Sequence, residues 1–190
     1  MSTLTSRPMR LFLVEFDELY ARHLCRHSQT GINVIHLIAL AGIWYAIYGL
    51  LAWLTDIEWL LAIPALAYLG ALAPNVSIRV LAASAIFLAL IVAAALFLQP
   101  PFWVFLIAIP VLYMLQSWSH RFYTIETDMT EFNKKYTKGF VLFVVLLIYE
   151  VPIVLRFLCF DGVPRGARPR PAAAGGAAPS SETETQVSWS

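Results

Sequence analysis

Long runs of apolar residues, separated by short polar breaks, occupy most of the chain between residues 34 and 158. The hydrocarbon core of a bilayer is about 30 Å thick, and one helical crossing needs roughly 20 apolar residues. The runs are close to that length, so they predict an all-α fold, a polytopic membrane helix bundle of about five hydrophobic segments. The predicted segments cover residues 34–54, 57–73, 78–98, 102–118 and 140–158.

Polar regions flank these segments at both ends. Between residues 9 and 26, apolar positions recur at helical spacing opposite Arg10, Asp17, Glu18 and Arg22, which predicts an N-terminal amphipathic helix lying on the membrane. From residue 162 onward the chain is rich in Pro, Ala, Gly and Ser, a composition typical of disorder. We therefore predict a single membrane-embedded helical domain over residues 1–160 and a disordered tail over residues 161–190.

The composition supports a membrane location. Hydrophobic residues make up 59% of the 190 residues and charged residues only 13%, whereas a soluble domain is about half apolar and about a quarter charged. A net charge of +1 without basic runs gives no reason to expect a nucleic-acid partner. Cys25 and Cys159 are too few for a disulfide framework, and the acidic residues near the N-terminus argue against a cleavable signal peptide.

The distribution of Lys and Arg predicts how the chain is oriented. Basic residues cluster before the first segment and in the polar stretch 120–139, whereas the loops near Thr55 and Gln99 contain none. The positive-inside rule therefore predicts a cytoplasmic N-terminus in an integral, multi-pass protein of the bacterial inner membrane or the endoplasmic reticulum. The basic residues of the tail then lie on the opposite side. Either the fifth segment is re-entrant, with a break near Glu150 and Pro152, or the tail is an exception.

This topology places every histidine of the chain at one face of the membrane. They are His23 and His27 on the amphipathic helix, His36 near the start of the first segment and His120 at the end of the fourth. Neutral imidazole binds iron, zinc and copper, so imidazoles that converge from distant segments predict a metal site. The alternative is that each is an interfacial or capping side chain, as Trp and Tyr often are.

Further polar residues are candidates for chemistry. A carboxylate about ten residues into a crossing is costly unless it is protonated, paired or hydrated, so Glu150 is either a catalytic residue or a protonated structural one. Asn33 and Gln116 lie within four residues of a histidine and either orient it or are ordinary interfacial amides. Glu126 and Asp128 form an acidic pair that could bind a metal or donate a proton, or are the solvated face of a loop.

The ten residues HSQTGINVIH, from His27 to His36, lead directly into a membrane helix and resemble the opening motif of the fungal 2-hydroxy-fatty-acid dioxygenase family. Gln116, followed four residues later by His120, resembles that family's second motif. The last apolar run, which reaches Glu150, is similar to the family's closing helix. The resemblance covers most of the chain before the tail.

The resemblance implies an iron(II)-dependent lipid dioxygenase, with Fe(2+) as cofactor, that shortens a 2-hydroxy fatty acid by one carbon in an α-oxidation step. It implies that His27, His36 and His120 hold the metal, with His23 as a further candidate. The expected partners are the membrane and a lipid or other hydrophobic substrate, whose apolar tail would enter between the helices.

Two other classes of function stay open at this point. One is a membrane terpene cyclase or isomerase without redox chemistry, in which Glu150, or the pair Glu126 and Asp128, acts as the acid. The other is a non-enzymatic membrane scaffold protein whose histidines are interfacial anchors. Bound metal and the effect of replacing His36 or His120 distinguish these classes from an oxygenase.

Overall fold

The computed structural model describes residues 14–55, 57–123 and 139–162. These residues are almost entirely helical and contain no β-strand, which confirms the all-α prediction. The helices are α1 (Phe16–Arg26), α2 (Thr30–Leu54), α3 (Ala62–Leu72), α4 (Ile78–Phe97), α5 (Phe102–Phe122) and α6 (Phe140–Arg156). A 3-10 helix, Glu58–Leu61, precedes α3, and a π-helical turn, Phe157–Asp161, follows α6.

Within the described ranges, four helices are long and apolar enough to cross a membrane. They are α2, α4, α5, and α6 with its π-helical turn. This arrangement is compatible with a multi-pass membrane protein, as the apolar runs predicted.

The second predicted segment, residues 57–73, forms only a short apolar helix. Its helical part, Trp59–Leu72, is about 21 Å long at 1.5 Å per residue, which is less than the roughly 30 Å of a hydrocarbon core. Pro64 lies in the first turn of α3, and its ring would clash with the carbonyl four residues earlier in a longer α-helix. The turn before it is accordingly a 3-10 helix.

Helices α2 and α5 pack closely along much of their length. Large side chains of α5 and the residue after it fill the space beside glycines of α2: Tyr123 beside Gly31, Leu112 beside Gly42 and Phe105 beside Gly49. Small residues let helix backbones approach closely in membrane bundles. Because the numbers rise along α2 as they fall along α5, the helices are antiparallel, and the start of α2 lies beside the end of α5.

Helix α6 continues without interruption through Pro152. A proline has no N–H to donate to the carbonyl four residues earlier, which here belongs to Ile148. The hydroxyl of Tyr68 on α3 donates to that carbonyl at 2.7 Å, and residues 151–155 of α6 are all buried. Of the two alternatives left open for the fifth segment, the break near Glu150 and Pro152 does not occur, because a neighbouring helix satisfies the carbonyl that the proline leaves free.

Helix α1 is amphipathic, as predicted, and its apolar side faces α6. Phe16 and Tyr20 are buried, and the Phe16 ring lies 6.2 Å from the ring of Tyr149 on α6. Asp17, on the same helix, pairs with Arg156 at the end of α6. Protein, rather than the expected lipid surface, thus covers the apolar face of α1 in the range 16–26.

Several predictions concern residues outside the described ranges. These are the acidic pair Glu126 and Asp128, the tail from residue 163 onward, and the first part of the amphipathic helix, residues 9–13. They stay predictions.

Candidate metal centre

Three histidines from three different elements meet at one point. His27, His36 and His120 each offer a ring nitrogen, and these ligand atoms all lie within 4.8 Å of one another. Their ring centroids are 4.6 to 5.2 Å apart. Two ligand atoms about 2.1 Å from one ion are at most about 4.2 Å apart, so small ring movements suffice to close the three on a metal. The predicted convergence of these imidazoles is confirmed.

The helix arrangement explains why these histidines meet. His27 directly follows α1, His36 lies in the second turn of α2, and His120 lies in the last turn of α5. The antiparallel packing of α2 against α5 brings the start of one beside the end of the other. The short link between α1 and α2 then holds His27 at the same level.

Hydrogen bonds determine which nitrogen of two of these rings is free. His27 Nδ1 donates to the backbone carbonyl of His23 at 3.2 Å, and His36 Nδ1 donates to Oε1 of Glu150 at 3.1 Å. A neutral imidazole with a proton on Nδ1 carries its lone pair on Nε2. Both Nε2 atoms are buried and have no hydrogen-bond partner among the described residues.

Two buried ring nitrogens without a partner are unusual, because buried polar atoms are nearly always hydrogen-bonded. A metal ion satisfies such atoms, and neutral imidazole is the ligand form. The donor set and its orphaned nitrogens therefore fit a metal. Three neutral imidazoles suit zinc, iron or copper, and they leave further coordination positions for other ligands.

Glu150 and Gln116 form the support of His36. Oε1 of Glu150 accepts from His36 Nδ1 and also from Nε2 of Gln116. A histidine that binds a metal commonly donates its other ring N–H to a carboxylate, which orients the ring and makes it a stronger ligand. The carboxylate of Glu150 thus lies beside His36, and Gln116 donates to that carboxylate rather than to the neighbouring His120.

Asn33 organises the connection between α1 and α2. Its amide nitrogen donates to the backbone carbonyls of His27, at 2.6 Å, and Gln29, at 2.9 Å. Its Oδ1 accepts from Nε2 of His23 at 2.8 Å. The fully buried Asn33 therefore fixes both the backbone that carries His27 and the ring beside it.

His23 lies next to the three histidines. Its ring is stacked on the ring of His27 with centroids 4.1 Å apart, and its Nε2 proton is held by Asn33. This placement favours an orienting role through His27, and direct ligation by His23 stays a prediction.

Burial keeps the α1 histidines neutral. Burial lowers the pKa of His23 to about 4, against the opposing effect of the hydrogen bond to Asn33. Burial, together with the neighbouring His23, His36 and His120, lowers the pKa of His27 to about 2. Both rings are therefore uncharged at neutral pH, which is the state that a metal requires.

Sequence reasoning missed one residue near this site. Arg156 ends α6 and pairs with Asp17 at the start of α1. The signal was present, because a charged residue inside a predicted membrane segment is costly and usually has a specific partner.

No protein-family model, curated protein or solved structure matches the chain. The fold and the site by themselves define a helical chain compatible with membrane insertion that carries a three-histidine cluster able to hold a metal ion.

Proposed function

We propose that this chain is an integral-membrane, iron(II)-dependent oxygenase acting on a lipid such as a 2-hydroxy fatty acid, in an α-oxidation-type step. The observation that carries the proposal is the buried histidine cluster with orphaned Nε2 atoms on His27 and His36. The resemblance to the fungal dioxygenase family adds the reaction class. Two residues of its motifs support the cluster, since Asn33 donates to the backbone carbonyl of His27 and Gln116 donates to the carboxylate that holds His36.

Each residue of the site has a role in this proposal. His27, His36 and His120 hold the iron, which when bound supplies a site for O₂ and electrons for its reduction. Glu150 holds the proton of His36 on Nδ1, so that Nε2 is free to bind. Gln116 donates to the same carboxylate oxygen and keeps it in place.

The position of the cluster suits a lipid substrate. His36 and His120 lie within the first two turns of α2 and the last turn of α5, near the ends of helices long enough to span a bilayer. At that depth the polar head of a fatty acid reaches the site while its chain stays in the apolar phase. The basic residues on this side of the chain favour a cytoplasmic site, in either a bacterial inner membrane or the endoplasmic reticulum.

A second candidate function rests on the donor set itself. The three ligands are all histidines, which is the set of some catalytic zinc sites, whereas many non-haem iron oxygenases use two histidines and a carboxylate. A zinc-dependent lipid-modifying enzyme without redox chemistry is therefore the alternative. Glu150, which is already engaged by two donors, would support the zinc ligand rather than act as the acid.

Metal content and oxygen consumption test both candidates. The protein is purified in detergent, and bound metals are quantified for the wild type, His36→Ala and His120→Ala. Ser117→Ala, an exposed position three residues before His120, is the matched control. After anaerobic loading with Fe(II), O₂ uptake is measured with 2-hydroxypalmitate and with palmitate.

If the chain is the proposed oxygenase, we expect one bound iron per chain. This iron should be lost in both histidine variants and kept in the control, and O₂ uptake should require the 2-hydroxy acid. Bound zinc without O₂ uptake would favour the second candidate. A wild type that binds no metal, with histidine variants that behave like the control, contradicts both and leaves a metal-free cyclase or isomerase, or a scaffold protein.

A further inference from the structure

The histidine cluster is divided between two parts of the fold. His36 and His120 belong to the closely packed pair α2 and α5, whereas His27 is carried by the end of α1. Helix α1 has only 11 residues, and isolated helices shorter than about 12–15 residues are marginal in water. The position of His27 therefore depends on contacts that hold α1 in place.

One end of α1 is held at the cluster itself. Asn33 binds the backbone carbonyls of His27 and Gln29, and the His23 ring stacks on His27. These contacts fix the loop after α1, but they do not fix the orientation of the helix axis, which depends on contacts at the other end of α1.

Two groups hold the other end of α1: Asn75, whose Oδ1 accepts from a backbone N–H just before the helix, and Arg156. Its Nη1 donates to Oδ1 of Asp17 in the first turn of α1. Its guanidinium carbon lies 4.2 Å from the ring centroid of Tyr20 and 5.7 Å from that of Phe16, distances at which a cation is attracted to an aromatic ring. Three residues of α1 thus contact one arginine of α6.

A carboxylate at the end of α6 completes this arrangement. Nε of Arg156 donates to Oδ2 of Asp161 at 2.9 Å, which fixes the guanidinium plane. Burial and the nearby Asp161 carboxylate raise the pKa of the Tyr20 hydroxyl, as expected for a phenol enclosed between the two helices. Asp17, by contrast, is mostly exposed, so the pair is screened and the ring contacts carry much of the attraction.

Helix α6 therefore contacts one candidate ligand directly and also contacts the helix that carries a second. Glu150 accepts from His36, and Arg156 lies six residues later, about 9 Å further along the helix. We propose that Arg156 is a positioning residue for His27: it docks α1 on α6 and thereby sets where His27 stands relative to His36 and His120. The proposal rests on the metal centre proposed above and adds a device by which one helix aligns ligands from two others.

The simple alternative is an arginine that only carries its charge to the membrane interface, as long basic side chains often do. Such a residue would tolerate glutamine without any effect on a metal. The contacts with Asp17, Tyr20 and Phe16 predict a different outcome, because each of them lies on the helix that carries His27.

The experiment measures Co²⁺ binding by the metal-free protein in detergent, with cobalt as the spectroscopic probe. The variants are Arg156→Gln, Arg156→Lys and Asp17→Asn. Arg79→Gln is the matched control, since exposed Arg79 lines the same polar cavity of about 460 Å³ from the side of α4. Amide hydrogen exchange of α1 is followed in the same metal-free samples.

We expect Arg156→Gln to weaken Co²⁺ binding about 10-fold and to change the visible spectrum of bound cobalt, since one of three histidines is less well placed. Arg156→Lys should lie between this variant and wild type, because an ammonium keeps the charge but not the planar, stacked geometry. Asp17→Asn should weaken binding by about threefold, and Arg79→Gln should leave it unchanged. Exchange should accelerate in α1 and not in α2 or α5.

Three results would overturn the proposal. One is a Co²⁺ affinity and spectrum of Arg156→Gln that match wild type. Another is an equal effect of Arg79→Gln, which would make the change a matter of surface charge. The third is faster exchange throughout α2 and α5, which would make Arg156 a general stabiliser. A wild type that binds no Co²⁺ overturns the metal centre instead, and the exchange of α1 in Arg156→Gln then decides the docking role alone.

Discussion

Glu150→Gln isolates the charge of the carboxylate that supports His36. Both of its hydrogen bonds, from His36 Nδ1 and from Gln116, end on the same oxygen. A glutamine of similar size can place its own Oε1 there and accept both bonds. The substitution therefore leaves the shape of the site and removes only the negative charge.

The expected loss of metal affinity follows from the strength of the bond to His36. A hydrogen bond to a charged group contributes about 1.5–3 kcal/mol and a neutral one about 1 kcal/mol. The difference of about 1 kcal/mol corresponds to roughly a 5- to 10-fold weaker metal affinity. Glu150→Leu removes the acceptor altogether and leaves the Nδ1–H of His36 unpaired, so we expect about 100-fold.

The free energy of unfolding of the metal-free protein should move in the opposite direction. The Glu150 side chain is only 21% exposed and lies within a helix long and apolar enough to cross a membrane, where a carboxylate is costly by a few kcal/mol. Glu150→Gln should therefore leave the metal-free protein as stable as wild type or more stable, while weakening its metal binding.

The assay combines Co²⁺ titration with thermal unfolding in detergent, with and without metal. Ser84→Ala is the control, because the buried Ser84 hydroxyl bonds only within its own helix, to the carbonyl of Val80. The reasoning is refuted if Glu150→Gln binds Co²⁺ as tightly as wild type and unfolds at a lower temperature without metal. That result would give Glu150 a role in the fold alone.

Three further predictions concern the packing and the polar contacts around the site. Gly49→Ala should destabilise the protein by about 1–3 kcal/mol, because the Phe105 ring occupies the space of the new methyl group. Gly70→Ala, which places its methyl group in open space, is the control and should be neutral or stabilising by up to about 1 kcal/mol. Equal unfolding temperatures of the two variants would contradict this prediction. The metal-free protein should lose stability as the pH falls below about 6.5 towards 4, since the folded pKa of His23 is lowered to about 4 and the unfolded chain binds the proton first. His27, whose folded pKa is lowered to about 2, acts in the same direction. Unfolding measured across this range should therefore show a slope of up to about 1.4 kcal/mol per pH unit for each of the two rings, and His23→Gln should remove about half of it. Asn33→Leu should lower the free energy of unfolding by about 2–3 kcal/mol, because it leaves buried carbonyls unpaired. It should also speed amide hydrogen exchange in the loop between α1 and α2. Unchanged exchange in this loop would contradict the bonds assigned to Asn33.

The fold was predictable wherever it depends on segment length and hydropathy. The runs that become α2, α4, α5 and α6 were recognised because a bilayer requires about 20 apolar residues for each crossing. The short length of α3 was not predicted, and the continuity of α6 was left open, because both depend on proline. Pro64 limits α3 through a local clash, whereas Pro152 is tolerated only because Tyr68 of another helix donates to the carbonyl it leaves free.

The histidine cluster was predictable in outline. The count of five crossings, which included the short α3 segment, placed His27, His36 and His120 at one face, and the structure brings their ligand atoms together. The partners of these rings could not be inferred in the same way. Glu150 is 114 residues from His36, and no spacing rule relates two helices that meet only after the bundle has packed.

The sequence by itself determined the helical class and the lengths of the apolar segments, and it predicted that the histidines lie at one face of the molecule. These properties follow from counts and periods along the chain, which each segment carries alone. The tertiary structure decided which nitrogen of His36 is hydrogen-bonded and which groups accept from or donate to Asn33 and Gln116. It also brought α6 into contact with both His36 and α1. Hydrogen bonds have a reach of about 3 Å and a required direction, so they depend on the relative rotation and depth of packed helices, and no single segment specifies these.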